Sequence, residues 1–341
     1  MQGTPQTFDC SLDMADKTGI LLINLGTPEA TSYWPMRWYL KEFLSDPRVI
    51  ESNRAIWWVI LNGIILTIRP KKSGHAYEQI WNKELNESPL KTFTRAQSEK
   101  LAQKFTPEEV VVEWGMRYGH PSIEAGINNL RDNGCERILI FPLYPQYSAT
   151  TTASVFDKVA DVMKKIRWQP TLRFVPPFYH DARYIDALAA RTTTHMDSLG
   201  WNPEKIIVSY HGLPEDYIEK GDPYYDHCLE TTRLLQKKMG KSDDQMITTF
   251  QSRVGRQEWV KPYTDATIAE LAAGGTKNLM LISPAFISDC VETLEELSIG
   301  LAEEFEAAGG ENFSVAPCLN ASDVSIDMLE AITRDELAGW I

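Results

Sequence analysis

The sequence lacks the signatures of several common classes of binding protein. Its five cysteines are scattered along 341 residues without a CxxC pair, so their spacing predicts no zinc site, disulfide framework or cysteine-held iron–sulfur cluster. No GxGxxG or GxxxxGK(S/T) follows a predicted strand, and the glycine cradles of dinucleotide and phosphate-loop proteins are therefore missing. The cysteine pattern is typical of a reducing cytosol, and we predict a cytoplasmic protein.

Positive charge and long apolar runs are also scarce. A net charge of −13 argues against nucleic acid as a partner, because its binding demands a clustered basic surface. No segment reaches the ~20 apolar residues that a membrane-spanning helix needs. The nearest approach, residues 56–68, ends in a basic cluster at 69–72. A buried core helix and an exposed apolar lip at a lipid interface both fit this run.

The placement of glycines predicts an α/β protein. Five amphipathic stretches each end at a glycine and are followed by a short β-branched run. These glycines are Gly134, Gly200, Gly240, Gly275 and Gly310. A glycine just past a helix tolerates the left-handed conformation that closes its last turn, and strands alternating with helices indicate a mostly parallel sheet. Further runs at 19–24, 110–114 and 172–175 bring the total to about eight strands, enough for two four-stranded halves.

The chain divides into three predicted parts. Residues 1–17 are polar and acidic, unlike a secretory signal or a basic transit peptide, and we predict a frayed tail. A helical stretch near 179–199, without a glycine-rich linker, marks the junction of two lobes. We therefore predict a first lobe over 18–180 and a second over 181–341, and leave open whether the last helix crosses back to the first lobe.

Chemically active residues follow the predicted strands. One apolar run delivers His211 to an immediate Gly/Pro stop, and another is followed by Asp289, Glu292 and Glu296 at helical i, i+3, i+7 spacing. Because ligands of an open parallel sheet bind beyond the carboxyl ends of its strands, these groups would face one cleft. They could hold a divalent metal or take protons, and the residues alone leave that choice open. A hydrogen-bonded loop histidine and a solvated acidic helix face are the structural alternatives.

Six separated segments resemble the ferrochelatase family, bacterial type. They read INLGTPEA, RYGHPSIEAGI, YPQYSATTT, SYHGLPEDY, FQSRVGRQEW and SPAFISDCVETLEEL. The resemblance is collinear from about residue 17 to near residue 310. It implies two Rossmann-like lobes, each a four-stranded parallel sheet flanked by helices, with a porphyrin between them. The implied activity is a lyase reaction, the insertion of Fe²⁺ into protoporphyrin IX as the last step of haem synthesis.

The resemblance also implies roles for individual residues. The family's metal-side histidine and glutamate map onto His211 and Glu292, which we expect to be catalytic and to ligate the metal. Asp289 and Glu296 match an acidic path for protons and metal that leads towards Glu292. The positions that contact the porphyrin map onto Arg117, Tyr118, Tyr144, Trp259, Phe286 and, near the lip, Tyr77.

Partners and cofactors follow from the same resemblance. Residues 56–72 fall at the family's hydrophobic lip, and peripheral contact with the inner membrane is left open. Ferrous iron is a substrate, and no tightly bound cofactor is expected. Some relatives carry a cysteine-ligated 2Fe–2S cluster in a C-terminal extension; here only Cys318 follows Cys290, so we predict no cluster. Some relatives also have a histidine at position 290. Candidates for propionate binding are Arg69, Arg117 and Arg253.

Three alternative functions stay open at the level of sequence. A coproporphyrin ferrochelatase would differ only in details of the pocket. A non-enzymatic protein that carries porphyrin or haem would need the aromatic cleft but not the pair formed by His211 and Glu292. A chelatase for another metal or tetrapyrrole typically shows two metal-facing histidines, and this chain offers one.

Overall fold

The computed structural model describes residues 17–253, 255 and 257–341, so the predicted tail lies outside the described residues except for Lys17, which begins the first strand. Two four-stranded parallel sheets form the framework. The first, in the order β2-β1-β3-β4, consists of β1 (Lys17–Gly26), β2 (Val110–Tyr118), β3 (Cys135–Pro142) and β4 (Thr171–Phe174). The second, in the order β6-β5-β7-β8, consists of β5 (Lys205–His211), β6 (Met246–Gln251), β7 (Asn278–Ile282) and β8 (Asn312–Val315).

Helices cover both faces of each sheet. In the described residues the α-helices are α1 (Tyr33–Ser45), α2 (Arg54–Ile60), α3 (Leu66–Ile80), α4 (Pro89–Ala102), α5 (Ile123–Asp132), α6 (Ser154–Met163), α7 (Ala182–Ser198), α8 (Glu215–Glu219), α9 (Tyr224–Met239), α10 (Thr264–Ala273), α11 (Leu301–Ala307) and α12 (Asp323–Glu336). Three segments are π-helical: Leu61–Ile65, Ala149–Ala153 and Glu292–Gly300. The predicted α/β class, with two lobes of four parallel strands, is confirmed.

Local sequence explains how these elements begin and end. Strand β1 is a continuous apolar run in which Ile20 to Ile23 are fully buried, as expected for a parallel strand covered on both faces. Helix α5 begins after Ser122, whose Oγ accepts a hydrogen bond from the backbone N–H of Ala125 at 3.2 Å. Helix α9 ends at Gly240, which adopts the left-handed conformation with φ of 63°.

One apolar core crosses from the first lobe to the second. Phe178, in the connection between the sheets, makes edge-on contacts with Phe141 of β3 and Tyr184 of α7, with ring centroids 5.7 and 5.5 Å apart. The C-terminal helix α12 also contacts both lobes. Lys104 of the first lobe lies 2.8 Å from a carboxylate oxygen of Asp327, and its carbonyl accepts a hydrogen bond from Arg334. The two sheets are therefore held in a fixed relation, with their carboxyl ends bordering one cleft.

Candidate active site

His211 is the last residue of β5 and is half-buried. Its Nδ1 lies 2.7 Å from the carbonyl oxygen of Gly212. Because a carbonyl can only accept a hydrogen bond, Nδ1 carries the proton and Nε2 keeps its lone pair. The strand end thus presents an imidazole nitrogen that can accept a proton or ligate a metal.

A glycine directly after His211 allows a close approach between two loops. A Cβ atom at Gly212 would lie 2.9 Å from the carbonyl oxygen of Gln251 and 3.2 Å from the ring of Trp259. The Gly212 N–H donates to that same carbonyl at 2.8 Å. Trp259, predicted to contact porphyrin, is therefore packed beside the histidine loop and is almost fully buried.

Glu292 and Glu296 lie on the π-helical segment that follows β7. The Oγ of Ser252 donates a hydrogen bond of 2.6 Å to Glu296, and the amide of Gln251 donates to the Glu292 carbonyl at 3.4 Å. Burial raises the pKa of Glu296; the hydrogen bond from Ser252 and the positive charge of His211 oppose this, and the negative charge of Glu292 adds to it. Glu296 is thus electrostatically linked to both predicted metal ligands, which places an imidazole and two carboxyl groups in one cluster.

Tyrosines of the first lobe face this cluster. Burial raises the pKa of Tyr77 on α3, and the negative charge of Glu292 acts in the same direction. Burial likewise raises the pKa of Tyr39, with smaller contributions from Tyr77, Glu292 and Tyr144. The Tyr144 hydroxyl is buried and has no hydrogen-bond partner within the described part of the chain. An unpaired hydroxyl of this kind is available to a bound ligand.

Arg117 and Tyr118 converge on a buried carboxylate that the sequence analysis did not single out. Arg117 forms an ion pair with Asp46, and its Nε donates to Ser154 Oγ at 2.6 Å. The Tyr118 hydroxyl donates to Asp46 at 2.8 Å, and the Ser154 hydroxyl donates to it at 2.6 Å. Tyr118 is completely buried. In this structure both residues support the floor of the first lobe through Asp46; their predicted contact with porphyrin stays a prediction.

Burial disfavours the charged form of Asp46, but hydrogen bonds from Ser154, the Arg48 backbone and Tyr118, together with the charge of Arg117, more than offset it and lower its pKa. We expect Asp46→Asn to reduce the free energy of unfolding at neutral pH by about 3 kcal/mol, because it leaves Arg117 without its buried partner. The wild-type contribution is complete above the ordinary aspartate pKa and is lost as pH falls through the lowered value. The variant should therefore lose less stability than wild type below about pH 4.

Urea unfolding of both proteins at neutral and acidic pH measures this effect. Asp157→Asn is the matched control, because Asp157 pairs with Arg48 at an exposed position and such pairs contribute less than about 1 kcal/mol. Equal losses for the two variants at neutral pH would contradict a stabilising role for the Asp46 network.

The other predicted residues lie around the cluster in different settings. Phe286 is half-buried and packs with Leu90, Met116 and Cys290. The Asp289 carboxylate is buried and hydrogen-bonded to neighbouring loops. Among the arginines proposed for propionates, Arg253 pairs with Asp265 and stacks on Tyr263, Arg117 pairs with Asp46, and Arg69 is exposed.

Several residues at the site were missed by sequence reasoning. Asp46, Ser154 and Tyr39 contact predicted site residues from elements far away along the chain. Ser252 is a non-glycine residue with φ of 68°, a conformation that is uncommon and is found disproportionately at functional sites. The only sequence signal for Ser252 was its place directly after a strand.

The architecture belongs to the chelatase fold. The structure of SirB from Bacillus subtilis with Fe³⁺ aligns with a TM-score of 0.57 and 13% identity, covering 95% of this chain and 96% of that one. The sirohydrochlorin chelatase SirB from Bacillus subtilis subspecies spizizenii, in complex with cobalt, aligns with a TM-score of 0.55 and 11% identity over the same shares of the two chains. At such low identity the likeness defines the fold alone.

Sequence similarity defines the family within that class. The Ferrochelatase family model matches residues 17–337. Ferrochelatases from Brucella ovis and Brucella melitensis biotype 2 are each 54% identical over 326 residues, covering 95% of this chain and 93% of each relative. The chain belongs to the ferrochelatase family, and it is therefore a metal chelatase of the lyase class. The resemblance predicted from six segments is confirmed.

Two searches of the described residues bear on partners. None of their helices is long and apolar enough to cross a membrane. Within the same residues, no group of three or more His, Cys, Asp or Glu side chains is arranged to hold a metal ion. Any iron site built from them would rest on fewer protein ligands, as suits an ion that is substrate rather than resident cofactor. The predicted absence of an iron–sulfur cluster stays a prediction.

Proposed function

We propose that His211 and Glu292 carry out the ferrochelatase reaction of this chain, the insertion of Fe²⁺ into protoporphyrin IX with release of two protons. The observation that carries this proposal is the orientation of His211. Its Nδ1 is bound to the Gly212 carbonyl, so Nε2 is the free nitrogen, and Glu296 links the imidazole electrostatically to Glu292. A base and a carboxylate from different strand ends thus border one cleft.

The chemistry requires the macrocycle to lose its two pyrrole protons as the metal enters. His211 Nε2 accepts a pyrrole proton or briefly ligates Fe²⁺, and Glu292 holds the metal or receives the second proton. Imidazole and carboxylate bind Fe²⁺ with moderate affinity and can release it. Glu296 extends this acidic path. Its raised pKa suits a group that takes up a proton and passes it on.

The cleft walls suit a large flat ligand. Tyr77, Tyr144, Trp259 and Phe286 supply aromatic surface from both lobes. Binding the macrocycle against such walls in a bent form would use binding energy to expose its nitrogens to the metal. The unpaired Tyr144 hydroxyl is available to a polar edge of the ligand.

The activity is tested by incubating the purified protein anaerobically with ferrous iron and either protoporphyrin IX or coproporphyrin. Conversion of the porphyrin spectrum to that of a metalloporphyrin reports insertion. Faster turnover of protoporphyrin supports the proposal, whereas a preference for coproporphyrin would reassign the substrate. Porphyrin binding without insertion would indicate a carrier protein.

We also propose that an apolar lip docks on a lipid surface. Residues 56–68 do not form a core helix: Ile56, Trp58, Val59, Ile64 and Ile68 are all more than half exposed. Trp34 and Trp38 on α1 are exposed to a similar degree, which the sequence analysis did not anticipate. An apolar patch that adjoins exposed Arg54, Arg69, Lys71 and Lys72 fits the interface of an anionic membrane.

Trp58→Ser is expected to weaken binding to anionic phospholipid vesicles about tenfold, because it removes a large side chain that would be buried in the lipid interface. Co-sedimentation with vesicles of phosphatidylglycerol and phosphatidylcholine measures it. Trp168→Ser is the control: Trp168 is equally accessible at 53% but precedes β4, at the opposite edge of the sheet. Equal loss in both variants, or no binding by wild type, would contradict docking through the lip.

A further inference from the structure

We infer that Asp289 and Asn320 form a clamp that positions Glu292, and that Asp289 is a positioning residue rather than a relay for protons or metal. This inference rests on the proposed function. The Asn320 amide donates from Nδ2 to Asp289 Oδ2 at 2.6 Å, and the Asp289 backbone N–H donates to Asn320 Oδ1 at 2.8 Å. Both residues are buried. The exchange fixes each side chain by the other.

The second carboxylate oxygen of Asp289 is also engaged. Its Oδ1 accepts hydrogen bonds from the Thr293 hydroxyl at 3.0 Å and from the Cys318 backbone N–H at 3.3 Å. The carboxylate is 4% exposed. Both oxygens thus point to fixed donors of the protein, and a group held in this way orients its neighbours rather than exchanging partners with a moving ion.

Asn320 is itself held in an uncommon conformation. Its φ is +50°, a left-handed value that asparagine tolerates better than most residues. Its backbone N–H donates to the Ile287 carbonyl at 2.7 Å, and its carbonyl accepts from the amide of Gln97 at 2.9 Å. Gln97 also accepts a hydrogen bond from Ser288 at 3.2 Å. Because Gln97 lies on α4, the clamp ties the loop before Glu292 to the first lobe.

The clamp acts on Glu292 through the start of its helix. Thr293, which donates to Asp289, accepts the Cys290 N–H at 3.1 Å. Glu292 lies between these residues, so the direction of its side chain depends on the clamp. A displacement of about 1 Å at a reacting group can lower turnover on the order of 10²-fold. Loss of the clamp should therefore affect the use of Fe²⁺ more than the binding of porphyrin.

Exchanging the two side chains separates positioning from relay. In the double variant Asp289→Asn/Asn320→Asp, the amide at 289 donates to the carboxylate at 320, and the 289 oxygen still accepts from Thr293 and Cys318. The hydrogen bonds persist, but no carboxylate remains at 289. Each single variant places like groups face to face. We expect each single change to lower kcat/KM for Fe²⁺ by about tenfold or more, and the exchange to restore it to within about threefold of wild type.

Steady-state kinetics with varied Fe²⁺ and varied porphyrin provide the measurement. Recovery in the double variant, with an unchanged KM for porphyrin throughout, supports the clamp. A double variant that folds, by circular dichroism, yet is as impaired as Asp289→Asn overturns it, because a carboxylate at 289 is then required. If wild type itself inserts no iron, the proposed function fails independently of the clamp.

Thr293→Val tests the clamp if the exchanged protein does not fold. It removes one hydrogen bond to Asp289 and leaves the carboxylate in place. Positioning predicts a threefold or greater fall in kcat/KM for Fe²⁺ with little change in the KM for porphyrin. Wild-type kinetics in a folded Thr293→Val protein would overturn the clamp, since a relay needs only the carboxylate.

Discussion

His211→Ala is expected to lower the rate of metal insertion by about 10²–10⁴-fold, the range that a positioned acid–base group contributes, while porphyrin binding stays measurable. The reason is the geometry of β5: its last residue presents Nε2 to the cleft because Nδ1 is tied to the Gly212 carbonyl. Alanine removes that nitrogen and leaves the aromatic walls intact. Anaerobic turnover gives the rate, and quenching of protein fluorescence by porphyrin gives binding.

The matched control is His75→Ala. His75 lies on α3 with its side chain 77% exposed, and its loss should leave turnover unchanged. Added imidazole should restore part of the activity of His211→Ala, because a small base can occupy the space of the lost ring. Wild-type turnover in His211→Ala would remove histidine from the mechanism and leave the glutamates as the only proton acceptors of the cluster.

The fold could be predicted because its signals are local. Each strand is a short apolar run, and the helices before most strands end at a glycine such as Gly240. The positions of His211 and Glu292 followed from the same pattern, since the carboxyl ends of parallel strands border one cleft. These residues are 81 positions apart, and only the fold class and the family resemblance connected them.

The supporting residues of the site could not be predicted, because their partners are distant and carry no motif. Asp46 binds Arg117 and Tyr118 across about 70 positions. The Asp289 prediction assumed α-helical periodicity from 289 onwards. In the structure Asp289 precedes the helix, and the segment Glu292–Gly300 is π-helical, with a wider turn than the assumed spacing. Contacts with Asn320, 31 positions further on, decide its surroundings.

The apolar run at 56–68 shows a different limit. Hydrophobicity indicates that a segment avoids water but does not say what covers it. Its leading face, including Trp58, is exposed, whereas Leu61 and Leu66 are buried against α1 and α3 neighbours. Only the packing of the first lobe reveals which side chains of the run are left for an external surface.

Glu292→Gln is expected to reduce kcat/KM for Fe²⁺ on the order of 10²-fold, because the amide keeps the shape of the side chain but loses its charge and its basicity. The metal saturation curve should shift to higher Fe²⁺ concentration, while the KM for porphyrin stays close to wild type. Glu295→Gln, which removes the same charge from the same helical segment, is the control and should have little effect. Stopped-flow absorption with varied Fe²⁺ provides both constants.

The kinetic pattern of Glu292→Gln also separates its two proposed roles. A residue that ligates Fe²⁺ before insertion contributes to ground-state binding, so its loss raises the KM for Fe²⁺. A residue that only receives a pyrrole proton acts in the transition state, so its loss lowers kcat and leaves the saturation curve in place. An unchanged curve with reduced kcat would therefore assign Glu292 to proton transfer and leave His211 as the protein ligand. Wild-type values for both constants would exclude Glu292 from the reaction, and Glu296, buried beside it and bonded to Ser252, would be the carboxyl group to test next.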